Sequence, residues 1–124
     1  MQKISLDEKF SLFHEHWRPK TIAALNGQEV KLVKVKGEFP WHHHEHEDEL
    51  FLVVLGSFRM DYRDDRGVEK ALEVGQGEFV IVPRGVLHRP VAEREVHVVL
   101  FEPAGTLNTG NVRGAQTVEK LQRI

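Results

Sequence analysis

The run from Pro40 to Glu49 concentrates side chains that could bind a metal ion. Four of the eight histidines in the chain stand there beside four carboxylates. Neutral imidazole and carboxylate groups bind borderline divalent cations. Alternate side chains of a strand share one face, so His42 and His44 would lie on the same side with Cα atoms roughly 7 Å apart. The run therefore predicts a metal site, against the alternative of a solvated polar loop.

A second segment, Gly77 to His88, supplies a further histidine in a distinctive setting. His88 follows a Pro-x-Gly turn that can direct it back toward the first run. Glu49 opens an apolar segment, and a bend over residues 45–48 would bring it beside the two histidines. This geometry would give three imidazoles and one carboxylate. His43 and His46 fall on the wrong face for this site, and we interpret them as exposed or at the rim.

The spacing of these residues resembles that of the cupin superfamily, in the form of a small single-domain bacterial cupin of the type 2 conserved-barrel kind. The first motif comprises Gly37, His42, His44, Glu49 and Gly56, and the second comprises Gly77, Pro83, Gly85 and His88. The chain departs from the family pattern twice. Four residues rather than five separate Gly37 from His42, and Ala92 stands where the family usually has Asn.

The resemblance implies an all-β fold, a double-stranded β-helix or jelly-roll cupin barrel, preceded here by a short N-terminal helix. It also implies one divalent metal ion bound by His42, His44, Glu49 and His88, and a homodimer. Four protein ligands on an ion that prefers six would leave two positions open, as in catalytic sites. Ligand type does not distinguish Fe, Mn, Ni, Co and Zn. We expect one domain over residues 1–124, with a metal-binding core at about 29–102.

The hydrophobic patterning agrees with an all-β chain. Ser5 to Glu8 has capping-box spacing, which predicts a helix from about residue 6 to 13 with Leu6, Phe10 and Phe13 on its buried face. Asn26-Gly27 predicts a hairpin into a strand over 29–36, in which Val33 and Val35 alternate with wet lysines. Further strands are predicted near 50–55, 58–62, 79–82 and 96–101, and the tail 117–124 could form a helical turn or two.

Two features of the predicted strands bear on the pocket and on assembly. Inward residues would form the pocket walls, and we expect these to include Phe51, Val53, Met60, Phe79 and Ile81. The segment 50–55 is apolar on both faces, so its outer face needs a cover. The N-terminal segment could supply that cover in cis or in trans. We interpret His97, inside an apolar strand, as a buried, hydrogen-bonded histidine rather than an acid or base behind the ligands.

The amino-acid composition limits the kinds of protein that this chain can be. The chain has 124 residues, 40% of them hydrophobic, a net charge of -2 and no cysteine. These values suit one packed domain and exclude disulfides, thiolate zinc sites and cysteine nucleophiles. Nothing in the charge pattern suggests a nucleic acid or a membrane as partner. The acidic N-terminal residues do not resemble a signal peptide, and we expect a cytoplasmic protein.

Two functions of different classes fit the sequence. The first is a metal-dependent enzyme acting on a small molecule, of the dioxygenase, isomerase or decarboxylase kind found among cupins. The second is a metal-holding module that binds or senses a small molecule without turnover. A shared fold does not separate them. An acid or base near the open metal positions would favour acid–base catalysis, whereas a wholly apolar pocket would favour redox or binding roles.

Overall fold

A computed structural model describes residues 1–124 as a β-rich barrel with one short helix. The elements are α1 (Leu6–Phe10), β1 (Lys20–Leu25), β2 (Gln28–Glu38), β3 (Glu49–Leu55), β4 (Ser57–Arg63), β5 (Glu69–Gly75), β6 (Phe79–Val82), β7 (His88–Pro103) and β8 (Gln122–Arg123). This architecture confirms the predicted all-β class and the short N-terminal helix. No helix in the structure is long and apolar enough to cross a membrane.

The long strand β7 organises the barrel because it pairs with three other strands. Along nearly its whole length it runs antiparallel to β2. On its other edge, residues 88–91 pair with β4 and residues 97–101 pair with β3. β5 extends the sheet beyond β4, and β6 extends it beyond β3. One strand therefore joins both sides of the barrel, and residues of β3 and β7 face the same interior.

The N-terminal elements follow the local sequence. Ser5 accepts a hydrogen bond from the Glu8 amide through its hydroxyl, which caps α1. The helix ends at Phe10, earlier than predicted. Asn26 and Gly27 connect β1 to β2 with φ angles of 52° and 78°. Two successive positive φ angles are the requirement of a type I′ hairpin turn, as the Asn-Gly pair predicts.

The outer face of β3 is covered in cis by the N-terminal segment. Phe10 and Phe13 are buried against Leu32 and Val99, and this small cluster also packs on outward residues of β3 and on Leu6. Lys34, predicted to be solvent-exposed, is buried beneath the same N-terminal segment. It donates a hydrogen bond to the Phe13 carbonyl oxygen at 2.7 Å. The prediction of one wet face on β2 is therefore wrong, because both of its faces are buried between residues 31 and 35.

Two further predictions are corrected by the strand pairing. Leu52 pairs with Phe79 and Leu50 with Ile81, and these four side chains face away from the barrel. Phe79 is 61% exposed and Ile81 is 53% exposed, so neither lines the interior cavity beside His42 and Glu49. Phe51, Val53 and Met60 are buried in the core, but of these three only Phe51 lines the cavity beside His42 and Glu49, because Val53 and Met60 pack away from it. The tail forms no helix: Gln122 and Arg123 pair in parallel with β1 as β8.

Candidate metal centre

The two predicted motifs meet through backbone pairing between His42 and His88. The His42 amide donates to the His88 carbonyl oxygen at 3.0 Å, and the His88 amide donates back at 2.9 Å. The Gly85 amide also donates to the His44 carbonyl oxygen at 2.8 Å. The turn before His88 and the histidine run are thereby fixed together. The rings of His42 and His88 lie 4.2 Å apart between centroids.

Backbone carbonyls set the tautomers of two of these histidines. Nδ1 of His42 lies 2.9 Å from the Pro40 carbonyl oxygen, and Nδ1 of His88 lies 2.8 Å from that of Val86. A carbonyl oxygen can only accept, so each Nδ1 carries a hydrogen and donates it. In the neutral ring, Nε2 then has a free lone pair. Ring orientation of this kind is typical of histidines that bind metal ions.

Glu49 lies at the meeting point of the imidazoles. Its Oε1 atom lies 2.8 Å from Nε2 of His44 and 3.3 Å from Nε2 of His88. These three atoms and Nδ1 of His44 are buried and have no hydrogen-bond partner. Buried polar atoms without partners are rare because each costs about 1–3 kcal/mol. Such a convergence of orphaned donor atoms suits a cation that would satisfy them.

All four predicted residues take part in one compact group. Potential ligand atoms of His42, His44, Glu49 and His88 lie within 4.8 Å of one another, and all four residues are buried. A single ion could therefore contact every one of them. The set consists of neutral nitrogen and carboxylate oxygen, which suits first-row divalent metals.

Electrostatics favour the ligand forms of these groups. Burial, reinforced by the neighbouring His88, lowers the pKa of His42 from 6.5 to about 3, so its imidazole is neutral at pH 7. Burial alone would raise the pKa of Glu49, but the adjacent side chains of Glu102, His44 and His88 outweigh it and hold that pKa well below its usual value. The site thus combines the neutral imidazole of His42 with the ionised carboxylate of Glu49.

Comparison with known proteins places this geometry in a family. A family model described as a cupin domain matches residues 28–102, including all four residues of the cluster. The chain belongs to the cupin family. A cupin-2 domain containing protein from Shewanella frigidimarina has a similar structure, with 41% identity, a TM-score of 0.75, and coverage of 81% of this chain and 93% of that one.

Other relatives of this cupin are more distant or matched in part. YdbB of Bacillus subtilis (strain 168), an uncharacterized protein, is 36% identical over 70 residues, covering 56% of this chain. The match spans only 58% of YdbB. Hydroquinone 1,2-dioxygenase PnpCD, solved in complex with Fe3+, has a similar fold, with 17% identity, a TM-score of 0.74, and coverage of 84% of this cupin and 33% of that chain.

A small cavity of about 40 Å³ adjoins the cluster. Its polar lining comes from His42, Glu49, Glu102 and Asn108. Its apolar lining comes from Trp17, Pro19, Val33, Val35, Phe39, Phe51, Pro90 and Leu100. This volume is enough for a water-sized molecule or slightly more. The cavity is largely apolar but contains one carboxyl group beyond the predicted ligands.

That additional carboxyl, Glu102, was missed in the sequence. It is 2% exposed, and its Oε1 accepts a hydrogen bond from Nζ of Lys31 at 2.8 Å. Burial, together with the charge of Glu49, raises the pKa of Glu102 well above its usual value, although Lys31 opposes the shift. In the sequence, Glu102 is a single acidic residue at the end of an apolar run, and only the strand pairing reveals its neighbours.

The remaining histidines of this cupin lie outside the cluster. The His46 side chain is 82% exposed, and the His43 backbone amide donates to Oδ1 of Asn111 at 2.8 Å. His97 stacks on Phe10 at 4.5 Å between centroids, and its Nε2 lies 3.4 Å from Oε2 of Glu95. His97 is thus hydrogen-bonded and partly buried on the outer face, and it does not contact the four candidate ligands.

The C-terminal segment packs directly against the histidine run. The Asn111 amide donates to the His43 carbonyl oxygen at 3.1 Å, completing a two-way link with that residue. Gly110 has a φ of +57°, and a Cβ atom added there would clash with the same carbonyl. Asn108 from this segment lines the cavity. Residues after β7 therefore help to enclose the cluster.

A larger groove of about 450 Å³ opens elsewhere on this cupin. It lies between β6 and the β4–β5 hairpin and is lined by residues that include Met60, Leu72, Val82 and Val86. None of the four clustered residues lines it. Although this groove is larger, we do not assign the chemistry to it, because His42, Glu49 and Glu102 line the smaller cavity.

Proposed function

We propose that His42, His44, Glu49 and His88 bind one divalent metal ion inside the barrel. The observation that carries this proposal is the convergence of buried donor atoms around Oε1 of Glu49 with no hydrogen-bond partners. A bound cation would satisfy those atoms together. Fe, Mn, Ni, Co and Zn all accept this combination of ligands.

The protein's own residues prepare the centre for such an ion. The Pro40 and Val86 carbonyls orient the His42 and His88 rings, so that each Nε2 can bind without a change of tautomer. The apolar residues around the cavity exclude bulk water, which strengthens electrostatic interactions inside it. The ion, when bound, supplies Lewis-acid or redox chemistry at coordination positions that the protein does not fill.

We further propose that this cupin is an enzyme acting on a small, largely uncharged molecule, with dioxygenase-type chemistry as the leading candidate. The mostly apolar cavity supports a substrate without strong charge. The fold shared with hydroquinone 1,2-dioxygenase PnpCD gives a precedent for oxygen chemistry on this scaffold. Isomerase and decarboxylase chemistry remain alternatives, because Glu102 supplies an acidic group in the cavity lining besides His42 and Glu49.

The second candidate is a metal-holding module that binds or senses a small molecule without turnover. The size of the cavity favours it: about 40 Å³ accommodates little more than a water molecule, and the C-terminal segment packs over the histidine run. Under this hypothesis, the metal ion would serve binding and stability alone.

Metal analysis of protein purified without an affinity tag tests the proposed centre. We expect about one ion per chain in the wild type and none in the quadruple variant H42Q/H44Q/E49Q/H88Q. The double variant H43Q/H46Q is the control, since it removes two imidazoles from the same run without touching the cluster. Undiminished metal in the quadruple variant, or a wild type that takes up no metal, would overturn the proposal.

Turnover distinguishes the two candidates. We would load the protein with Fe(II), follow oxygen consumption with hydroquinone and other small phenols, and analyse the products. Metal-dependent oxygen uptake that disappears in the quadruple variant would support the dioxygenase proposal. Saturable binding of a phenol without any oxygen uptake or product would favour the binding module.

A further inference from the structure

Lys31 and Glu102 form an ion pair in the barrel interior that stability alone does not explain. Lys31 is 1% exposed and Glu102 is 2% exposed, and their Nζ–Oε1 distance is 2.8 Å. Removing two charges from water is costly, and buried pairs can often be replaced by apolar residues without loss of stability. Moreover, Oε2 of Glu102 is buried and has no hydrogen-bond partner.

Strand register explains what the second oxygen of Glu102 faces. In the antiparallel pair of β3 and β7, Leu50 lies opposite Phe101, so the next position along places Glu49 opposite Glu102. Both side chains point into the interior and line the same cavity. Side chains directly opposite each other in antiparallel strands have Cβ atoms about 4.5–5.5 Å apart, and two like charges there are destabilising. A pair of facing carboxyl groups therefore needs a compensating reason.

The groups on either side of this carboxyl pair are arranged in a row. Lys31 contacts Glu102, Glu102 faces Glu49 across the β3–β7 pair and lines the same cavity, and Glu49 contacts His44 and His88. Glu49 is thus held between two imidazoles on one side and Glu102 on the other. Carboxylates that bind metal ions are commonly oriented by such outer hydrogen bonds.

We infer that Glu102, fixed by Lys31, is a positioning residue that sets the orientation of Glu49 for metal binding. This inference rests on the proposed metal centre. It assigns a task to the buried pair: Lys31 anchors one oxygen of Glu102, which leaves the other directed at Glu49. The role acts through Glu49 and requires no contact between Glu102 and the ion.

Two double variants separate this role from a merely structural one. K31M/E102Q and K31M/E102M both remove the buried charges and keep the side-chain volume nearly constant. Only the glutamine retains a polar group that can hydrogen-bond to Glu49. We would measure Co(II) affinity by competition with a chromogenic chelator, record the Co(II) absorption spectrum, and compare melting temperatures in EDTA.

We expect K31M/E102M to bind Co(II) ~10–100-fold more weakly than the wild type with an altered spectrum, and K31M/E102Q, which keeps the polar group but lacks the Lys31 anchor, to lie between the two. Similar melting temperatures in EDTA would show that the difference does not come from the fold. Equal affinities and spectra for the two variants would overturn the inference. A wild type that binds no Co(II) would instead refute the metal centre itself.

A single variant covers the case in which a double variant fails to fold. E102D keeps the negative charge near Lys31 but is one methylene shorter, so it cannot both hold Lys31 and reach Glu49. We expect about tenfold weaker Co(II) binding with circular dichroism unchanged. Wild-type affinity and spectrum in E102D would contradict the positioning role.

Discussion

His42 and His88 face each other across a pair of reciprocal backbone hydrogen bonds of 3.0 and 2.9 Å. Each ring also donates through Nδ1 to a carbonyl two residues earlier in the chain. The same backbone contact that joins the two motifs therefore also presents both Nε2 atoms to the interior. In this cupin, the backbone pairing that closes this part of the barrel therefore also sets the orientation of two candidate ligands.

Metal binding should raise the thermal stability of the protein. An ion at about 1,000 times its dissociation constant adds about 4 kcal/mol to the free energy of unfolding. For a chain of this size, this corresponds to a melting temperature higher by on the order of 15 °C. Calorimetry with EDTA or with added Zn(II) or Co(II) measures the shift. The quadruple ligand variant should show none, and an equal shift there would point to binding elsewhere.

The metal-free protein should lose stability as the pH falls below 6.5. The pKa of His42 is about 3 in the fold and 6.5 when unperturbed, so the unfolded chain binds a proton there that the folded chain does not. Stability then decreases as pH falls from about 6.5 toward about 3, by about 2 kcal/mol between pH 7 and pH 4.5. Urea unfolding in EDTA at these two pH values tests this expectation.

The matching controls for that pH dependence are H42Q and H46Q. H42Q should show a smaller loss of stability between pH 7 and pH 4.5, because the titrating group is gone. H46Q should behave as the wild type, since the His46 side chain is 82% exposed. An identical pH slope in wild type and H42Q would contradict the assignment to His42.

Gly110→Ala should loosen the contact between the C-terminal segment and the histidine run. The added Cβ would clash with the His43 carbonyl, and the φ of +57° is itself unfavourable for alanine. We expect a loss of about 1–3 kcal/mol in the free energy of unfolding. Gly114→Ala is the control, because a Cβ there meets nothing within 4 Å. Equal stability of the two variants in urea unfolding would show that the close approach is unimportant.

The predicted homodimer has a candidate surface at the edge strand β6. Phe79 and Ile81 are 61% and 53% exposed on its outer face, and apolar edge strands tend to associate. We expect the wild type to be a dimer in light scattering at micromolar concentration and F79K/I81K to be a monomer. L25K is the control, since Leu25 is 49% exposed but lies in the β1–β2 hairpin and not on β6. A monomeric wild type would refute the prediction.

The sequence revealed the candidate site better than it revealed the barrel around it. His42, His44, Glu49 and His88 were identified because their spacing is local within each motif, and the fold brings them together as expected. Lys31 and Glu102 were not identified, since they become neighbours only when β2 and β7 pair. No local pattern distinguishes a buried lysine of that kind from an exposed one.

The orientation of β6 illustrates a second limit. Four consecutive apolar residues carry no alternation, so either face could have been interior. The pairing of Leu52 with Phe79 decides the matter and turns Phe79 and Ile81 outward. The tail was likewise undetermined by its own residues, because β8 exists only through its pairing with β1.

The central place of β7 has a consequence for how the protein is made. Neither side of the barrel can close until this strand, which ends at Pro103, has been synthesised and has left the ribosome. β2, β3 and β4 cannot complete their pairing until β7 is available. Pairing over such sequence distances is slow, on the order of milliseconds to seconds. During that interval, the histidine run is exposed to whatever metal ions surround the nascent chain. Under the proposed metal binding, His42, His44 and Glu49 would therefore meet an ion before β7 brings His88 to them.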